Sequence, residues 1–140
     1  MLIRKPPGEV FNAFVDPEII TTFWLSSASK PLAPSASVKW AFMVNGATAD
    51  VQVTEFEKAR RIGFVWSGGK TVKIDFSSQG EVETRVSVRE TGYSIEEVDE
   101  AIESTQGFTI VLCDLKTLLE QGRSAGLAKD KAELIERMMK

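Results

Sequence analysis

The spacing of apolar residues changes once along this chain, and the change fixes what kind of fold it can form. From residue 38 to 88 apolar side chains recur at every second position, whereas after Gly107 they recur at intervals of three and four. A period of two gives a strand with one apolar face, and a period near 3.6 gives a helix with one apolar stripe. Val38, Trp40, Phe42 and Val44 lead into Asn45-Gly46, a strong signal for a type I′ hairpin, whose two central residues both need positive φ. Ala47, Ala49, Val51 and Val53 return. Lys58 to Arg61 makes a polar turn into Ile62, Phe64 and Trp66, and Gly68-Gly69 turns the chain into Val72, Ile74 and Phe76. Gln79-Gly80 leads into Val82, Thr84, Val86 and Val88. Five strands joined by tight turns predict an antiparallel meander whose apolar face must be covered.

The cover lies downstream. Phe108, Val111, Leu112, Leu115, Leu118 and Leu119 form one stripe, about 120° wide at 100° per residue. The pattern predicts a helix over 105–121, about 25 Å long, ended by Gly122 as its C′ residue. Ser94 with Glu97 reads as a capping box opening a separate short helix over 95–103. At the other end, residues 1–5 read as a short strand stopped by Pro6-Pro7. Apolar residues at 10, 11, 14 and 15 mark a helix. Asp16-Pro17 supplies a cap and an N1 proline for a second helix over 17–23, and Ser26 to Ser37 reads as a loop. After Gly122, Arg123 to Lys129 reads as a connector. Asp130 with Glu133 then opens a final helix over 131–139, with Leu127, Leu134, Ile135 and Met138 on one side. The expectation is an α+β fold: a sheet of about six strands curved around a long C-terminal helix in residues 1–122, then a C-terminal extension, 123–140.

Composition removes several classes of function. The chain has 140 residues, enough for one domain. Its net charge of −3 gives no general attraction to nucleic acid or to an anionic membrane. No apolar run approaches the roughly 20 residues of a membrane span, and the opening MLIRKPPGEVF lacks a signal peptide's apolar stretch. Cys113 is the single cysteine, so no intrachain disulfide can form, and the expected location is cytoplasmic. There is no histidine, which removes the Ser-His and Cys-His nucleophile pairs and the commonest metal ligand. No metal and no cofactor is expected.

The residue pattern carries a resemblance. Pro7, Glu9, Val10 and Phe11 form Pro-x-Glu-Val-Phe; Asp16 to Glu18 with Trp24 forms Asp-Pro-Glu followed by Trp; Val38 and Trp40 form Val-x-Trp. Phe64 and Trp66, then Thr84, Val86 and Val88, continue the series. It ends in Gly107-Phe108 and Leu-Lys-x-x-Leu-Glu-x-Gly at Leu115, Lys116, Leu119, Glu120 and Gly122. In this order the set, covering residues 3–122, resembles the activator-of-heat-shock-protein-ATPase-homologue (AHSA) branch of the START-like, or SRPBCC, superfamily. The resemblance implies the helix-grip fold. It departs from the family in its short first strand, in Gly-Phe where Gly-Trp is usual, and in the extension past residue 122.

What the resemblance implies for function is a cavity between sheet and helix that holds an apolar ligand. Its candidate lining is Trp24, Trp40, Phe42, Phe64, Trp66, Ile74, Phe76, Thr84, Phe108 and Leu112. The plainer reading is that these residues fill the core, as large aromatics generally do. Lys73, Asp75, Glu83 and Arg85 alternate with the apolar positions and so face away from the helix, leaving Thr84 as the polar group on the inner face. No catalytic residue stands out, and Cys113, without a histidine in the chain, reads as a plain surface or packing cysteine. The expected function is therefore non-enzymatic binding of a small hydrophobic ligand. The alternatives are a chaperone ATPase-interacting module and a cyclase- or hydrolase-like enzyme, which would require an inward-facing carboxylate or arginine. A homodimer through the C-terminal extension is expected ahead of a chaperone partner.

Overall fold

In the computed structural model, which describes residues 1–66 and 68–139, the period-two segment forms the centre of one antiparallel sheet. The strands are β1 (Leu2–Ile3), β2 (Leu25–Ala28), β3 (Ser37–Phe42), β4 (Thr48–Glu57), β5 (Arg61–Trp66), β6 (Lys70–Ser78) and β7 (Thr84–Thr91). The helices are α1 (Pro7–Val15), α2 (Pro17–Phe23), α3 (Val98–Gln121) and α4 (Leu127–Met138). Strand order is β1-β7-β6-β5-β4-β3-β2, so the chain's first strand closes beside its last. This is the expected helix-grip architecture, with seven strands in place of six.

Local chemistry sets the boundaries. Pro7 opens α1, whose inner side buries Val10, Phe11, Ala13 and Phe14. Asp16 ends α1 and caps α2, accepting a 2.9 Å hydrogen bond from the Glu18 N–H, with Pro17 at N1 as the sequence requires. Above these helices Trp40, Phe64, Ile62, Ile74 and Leu115 are almost wholly enclosed. Burying one such side chain contributes roughly 1.5–3 kcal/mol.

The structure corrects the sequence reading at several points. Residues 26–28, expected in a loop, belong to β2. Leu25 pairs with Phe42, and the register slips before Ser27 pairs with Ala41. Leu25 is the one fully buried residue of the strand and Ala28 packs against the core three positions on, so no alternation betrays the strand. The β3–β4 turn is not type I′. Gly46 has φ +83°, but Asn45 is not among the residues at positive φ, and the Ala47 N–H donates to the Val44 carbonyl at 3.1 Å. A bulge between Val53 and Glu55 then resets the face of β4. It turns Phe56 inward, where its ring meets Phe11 edge-on at 5.2 Å. Val82 lies before β7 and is 62% exposed.

The largest correction concerns the C-terminal helices. The Ser94/Glu97 capping box is present, but the 3₁₀ turn it opens, Ile95–Glu97, runs directly into α3. One helix of 24 residues, about 36 Å at 1.5 Å per residue, replaces the two expected. Gly107 does not interrupt it, since an interior glycine costs only about 1 kcal/mol relative to alanine. Gly122 ends it at φ +82°, its N–H donating to the Leu118 carbonyl. α4 begins at Leu127, four residues before the expected start, and Asp130 is not its cap. Its start is set from α3. The Asp114 carboxylate is 1% exposed and accepts from Ser124 Oγ at 2.5 Å and from the Ala125 N–H at 2.7 Å. α4 therefore folds back onto its own chain, burying Ala132. No helix among the described residues is long and apolar enough to cross a membrane.

Candidate functional site

Alternation along β3 and β5 points Trp40, Phe42, Phe64 and Trp66 to the concave side, where α2 delivers Trp24 and α3 delivers Phe108. Their rings form a continuous array. Trp24 lies 5.1 Å from Trp40, 5.6 Å from Phe108 and 6.4 Å from Trp66, all edge-on. Trp66 and Phe108 are stacked at 5.8 Å with an interplanar angle of 28°. Such pairs contribute about 0.5–1.5 kcal/mol beyond the area they bury.

The ten residues expected to line a cavity fall into three sets. Trp40, Phe64, Ile74, Phe76 and Thr84 are at most 5% exposed and packed into the core. Thr84 spends its hydroxyl on the Lys5 carbonyl at 2.7 Å, so it offers nothing to a ligand. Phe42 lies between Trp24 and Trp66. The other four border two openings that flank α3 at Phe108.

The first opening is a groove of about 360 Å³ between β7 and α3. Val86, Val88, Phe108 and Leu112 supply its apolar surface, Arg85, Ser87, Thr105 and Thr109 line it with polar groups, and Glu90, Tyr93 and Ser104 border it together. Glu90 continues the 84, 86, 88 series onto the inner face, because β7 runs to Thr91 rather than stopping at Val88. That parity was the signal available in the sequence. The inner face thus carries a carboxylate, contrary to the expectation that Thr84 was its polar group. Glu90 accepts hydrogen bonds from Trp66 Nε1 at 2.9 Å, from the Tyr93 hydroxyl at 2.6 Å and from Ser104 Oγ. Three donors on three segments thus pin one carboxylate at the border of the groove. Burial, and then the hydrogen bond to Glu90, raises the Tyr93 pKa, so the phenol stays a donor. Lys70 braces the same border, with its Nζ 4.7 Å from the Tyr93 ring centroid and 2.8 Å from Glu97.

The second opening, of about 220 Å³, lies between α3, α4 and the β3–β4 turn. Trp24, Trp66 and Phe108 form one wall and Ala128, Ala132 and Ile135 of α4 another. The Asn45 N–H donates to Glu136 at 2.9 Å and ties the turn to α4. Among the described residues no group of three or more acidic or cysteine side chains is placed to hold a metal ion.

Compared with known protein families, residues 4–120 match the one described as Activator of Hsp90 ATPase homolog 1-like protein. The chain belongs to this family. Several proteins of solved structure share its fold. A protein from Staphylococcus saprophyticus is 27% identical with a TM-score of 0.79, over 89% of this chain and 90% of that one. The Aha1 dimer from Colwellia psychrerythraea is 16% identical with a TM-score of 0.77, over 89% and 95%. CalU16 from Micromonospora echinospora is 18% identical with a TM-score of 0.71, over 96% and 81%. No curated protein matches the sequence. α4 lies beyond the span the AHSA1 family covers.

Proposed function

We propose that this AHSA1-family chain is a non-enzymatic binding domain that holds a small hydrophobic ligand in the groove between β7 and α3. The observation that carries the reading is the groove's construction: an apolar strip of Val86, Val88, Phe108 and Leu112 beside the polar Ser87, Thr105 and Thr109, with Glu90 held in place by hydrogen bonds. In pockets for small ligands, apolar side chains supply contact and a few placed polar groups set orientation; this groove offers both, with a larger polar share.

The carboxylate that an enzyme would require is present, but its chemistry is that of a fixed acceptor. Its two oxygens already accept from three donors, Trp66 Nε1, the Tyr93 hydroxyl and Ser104 Oγ. The family's description makes interaction with an Hsp90-type ATPase the second reading, and the exposed Ile95, Val98 and Ile102 offer it a surface. Pairing of two copies through the extension would use the outer face of α4, where Leu134 and Met138 are exposed; light scattering measures it.

Titration with the neutral dye prodan tests the binding reading. Tryptophan emission should change saturably in the native protein, since Trp66 donates to Glu90 at the groove's border. Val88→Trp should abolish the response by filling the groove. Absence of a saturable change in the native protein, or persistence of the same response in Val88→Trp, overturns the assignment. Retention of an immobilised Hsp90-type ATPase by the native chain, lost in Ile102→Asp, would instead establish the second reading.

A further inference from the structure

We infer that the opening between α3, α4 and the β3–β4 turn is a second binding site, built for a small apolar molecule that carries a carboxylate, with Lys131 as its counter-ion. The walls are Trp24, Trp66, Phe108, Ile110 and Ile135, and Lys131 is the charged side chain among the lining residues. A Cβ placed on Gly107 would lie 3.6 Å from Lys131 Nζ, so the ammonium rests against bare helix backbone at the wall of the opening. Among the described residues no carboxylate comes within 4.0 Å of it. Of the acidic groups of α4, Glu133 pairs with Arg137 and Glu136 accepts from the Asn45 N–H, and Asp130, next to Lys131 in sequence, makes no ion pair with it. An ammonium on an apolar wall without an anion is the complement of a carboxylate on an apolar body.

Size narrows the class. The opening measures about 220 Å³, and roughly 150 Å³ of apolar space suffices for benzene. A single ring or a medium-length alkyl chain fits; a sterol or a long acyl chain does not. The opening borders the groove at Ser104 and Phe108, which line both, but α4 supplies a wall of the opening and no residue of the groove.

Octanoate, octanol and octylamine present one chain with three head groups, and calorimetry on the full-length protein reads their affinities. Octanoate should bind about tenfold more tightly than octanol, the factor one charge-assisted hydrogen bond supplies, and octylamine more weakly than either. Lys131→Gln should bring octanoate down to the affinity of octanol, while Lys131→Arg keeps the preference. Ile135→Trp, which fills the opening from the surface of α4, should block octanoate and leave the prodan response intact. Equal binding of octanoate and octanol to the native protein overturns the proposal. So does a preference that survives Lys131→Gln, or displacement of prodan by octanoate, which would place both in the groove.

Discussion

The two ends of α3, on either side of Gly107, are one helix with two kinds of environment. Beyond Gly107, Val111, Leu112, Asp114 and Leu115 are buried. This end is also tied to the first strand, with Lys116 Nζ 2.7 Å from the Leu2 carbonyl and the Arg4 N–H 2.8 Å from Glu120. Before Gly107 the helix leaves Val98 50% and Ile102 63% exposed, and its ties are polar: Ser104 to Glu90, and at its cap Glu97 to Lys70. The cause lies in the sequence, whose apolar stripe starts only at Phe108. One end anchors the fold, and the other leaves the groove beside β7 open.

That contrast can be broken by mutation. Leu115→Ala, in a fully enclosed position, should cost about 2–5 kcal/mol in urea unfolding. Ile102→Ala should stay within about 0.5 kcal/mol. Comparable losses at the two positions would show that the near end carries as much of the core as the far end. A smaller effect should follow Asp114→Ala. Removing that buried acceptor strands the Ser124 hydroxyl and the Ala125 N–H, at about 1–3 kcal/mol. Amide exchange should quicken across residues 127–138 while 98–107 stay unchanged. Uniform quickening would mean that Asp114 supports α3 itself rather than the junction.

The smallest effect is a pH dependence at the near end. The hydrogen bond from Lys70, followed by the Ser94 N–H, lowers the Glu97 pKa from 4.5 to about 2. The folded state therefore favours the charged carboxylate. Its contribution is complete above pH 4.5, where the unfolded chain is also ionised, and is lost as pH falls towards about 2. Glu97→Gln should lower the melting temperature slightly at neutral pH, with the difference closing between those values. A constant difference across the range would place the effect in helix capping alone.

The sheet was legible because period two survives burial on one face: Val72, Ile74 and Phe76, and Val38 and Trp40, fall where alternation puts them. Alternation reports which face a side chain takes, however, and not how far along the strand it meets the helix. Trp40 and Phe64 share a face with Trp66, yet only Trp66 reaches an opening, because α3 covers the sheet incompletely. Glu90 escaped notice because a charged residue at the end of an apolar series looks like the end of the strand. The continuity of α3 was hidden for a similar reason. Gly107 and the polar residues before it resemble a boundary, whereas the hydrogen-bonded ladder continues through them. The position of α4 depends on Asp114, ten residues from Ser124, a relation that no local pattern displays.

The ends of the sheet have a further consequence. An open sheet exposes two rows of backbone donors and acceptors, each a template on which another chain could add strand by strand. Here the outermost strands are the shortest. β1 has two residues and is cut off by Pro6-Pro7, and β2 has four with a slipped register. Ser26 folds its hydroxyl back towards the Ala41 and Phe42 carbonyls at 3.2 and 2.9 Å. The long strands, β4 and β6, lie inside with both neighbours in place. Strand-by-strand polymerisation would thus have to start from the two segments that offer it the least backbone, which protects a protein whose interior is otherwise rich in exactly the apolar, β-branched and aromatic stretches that fibrils favour.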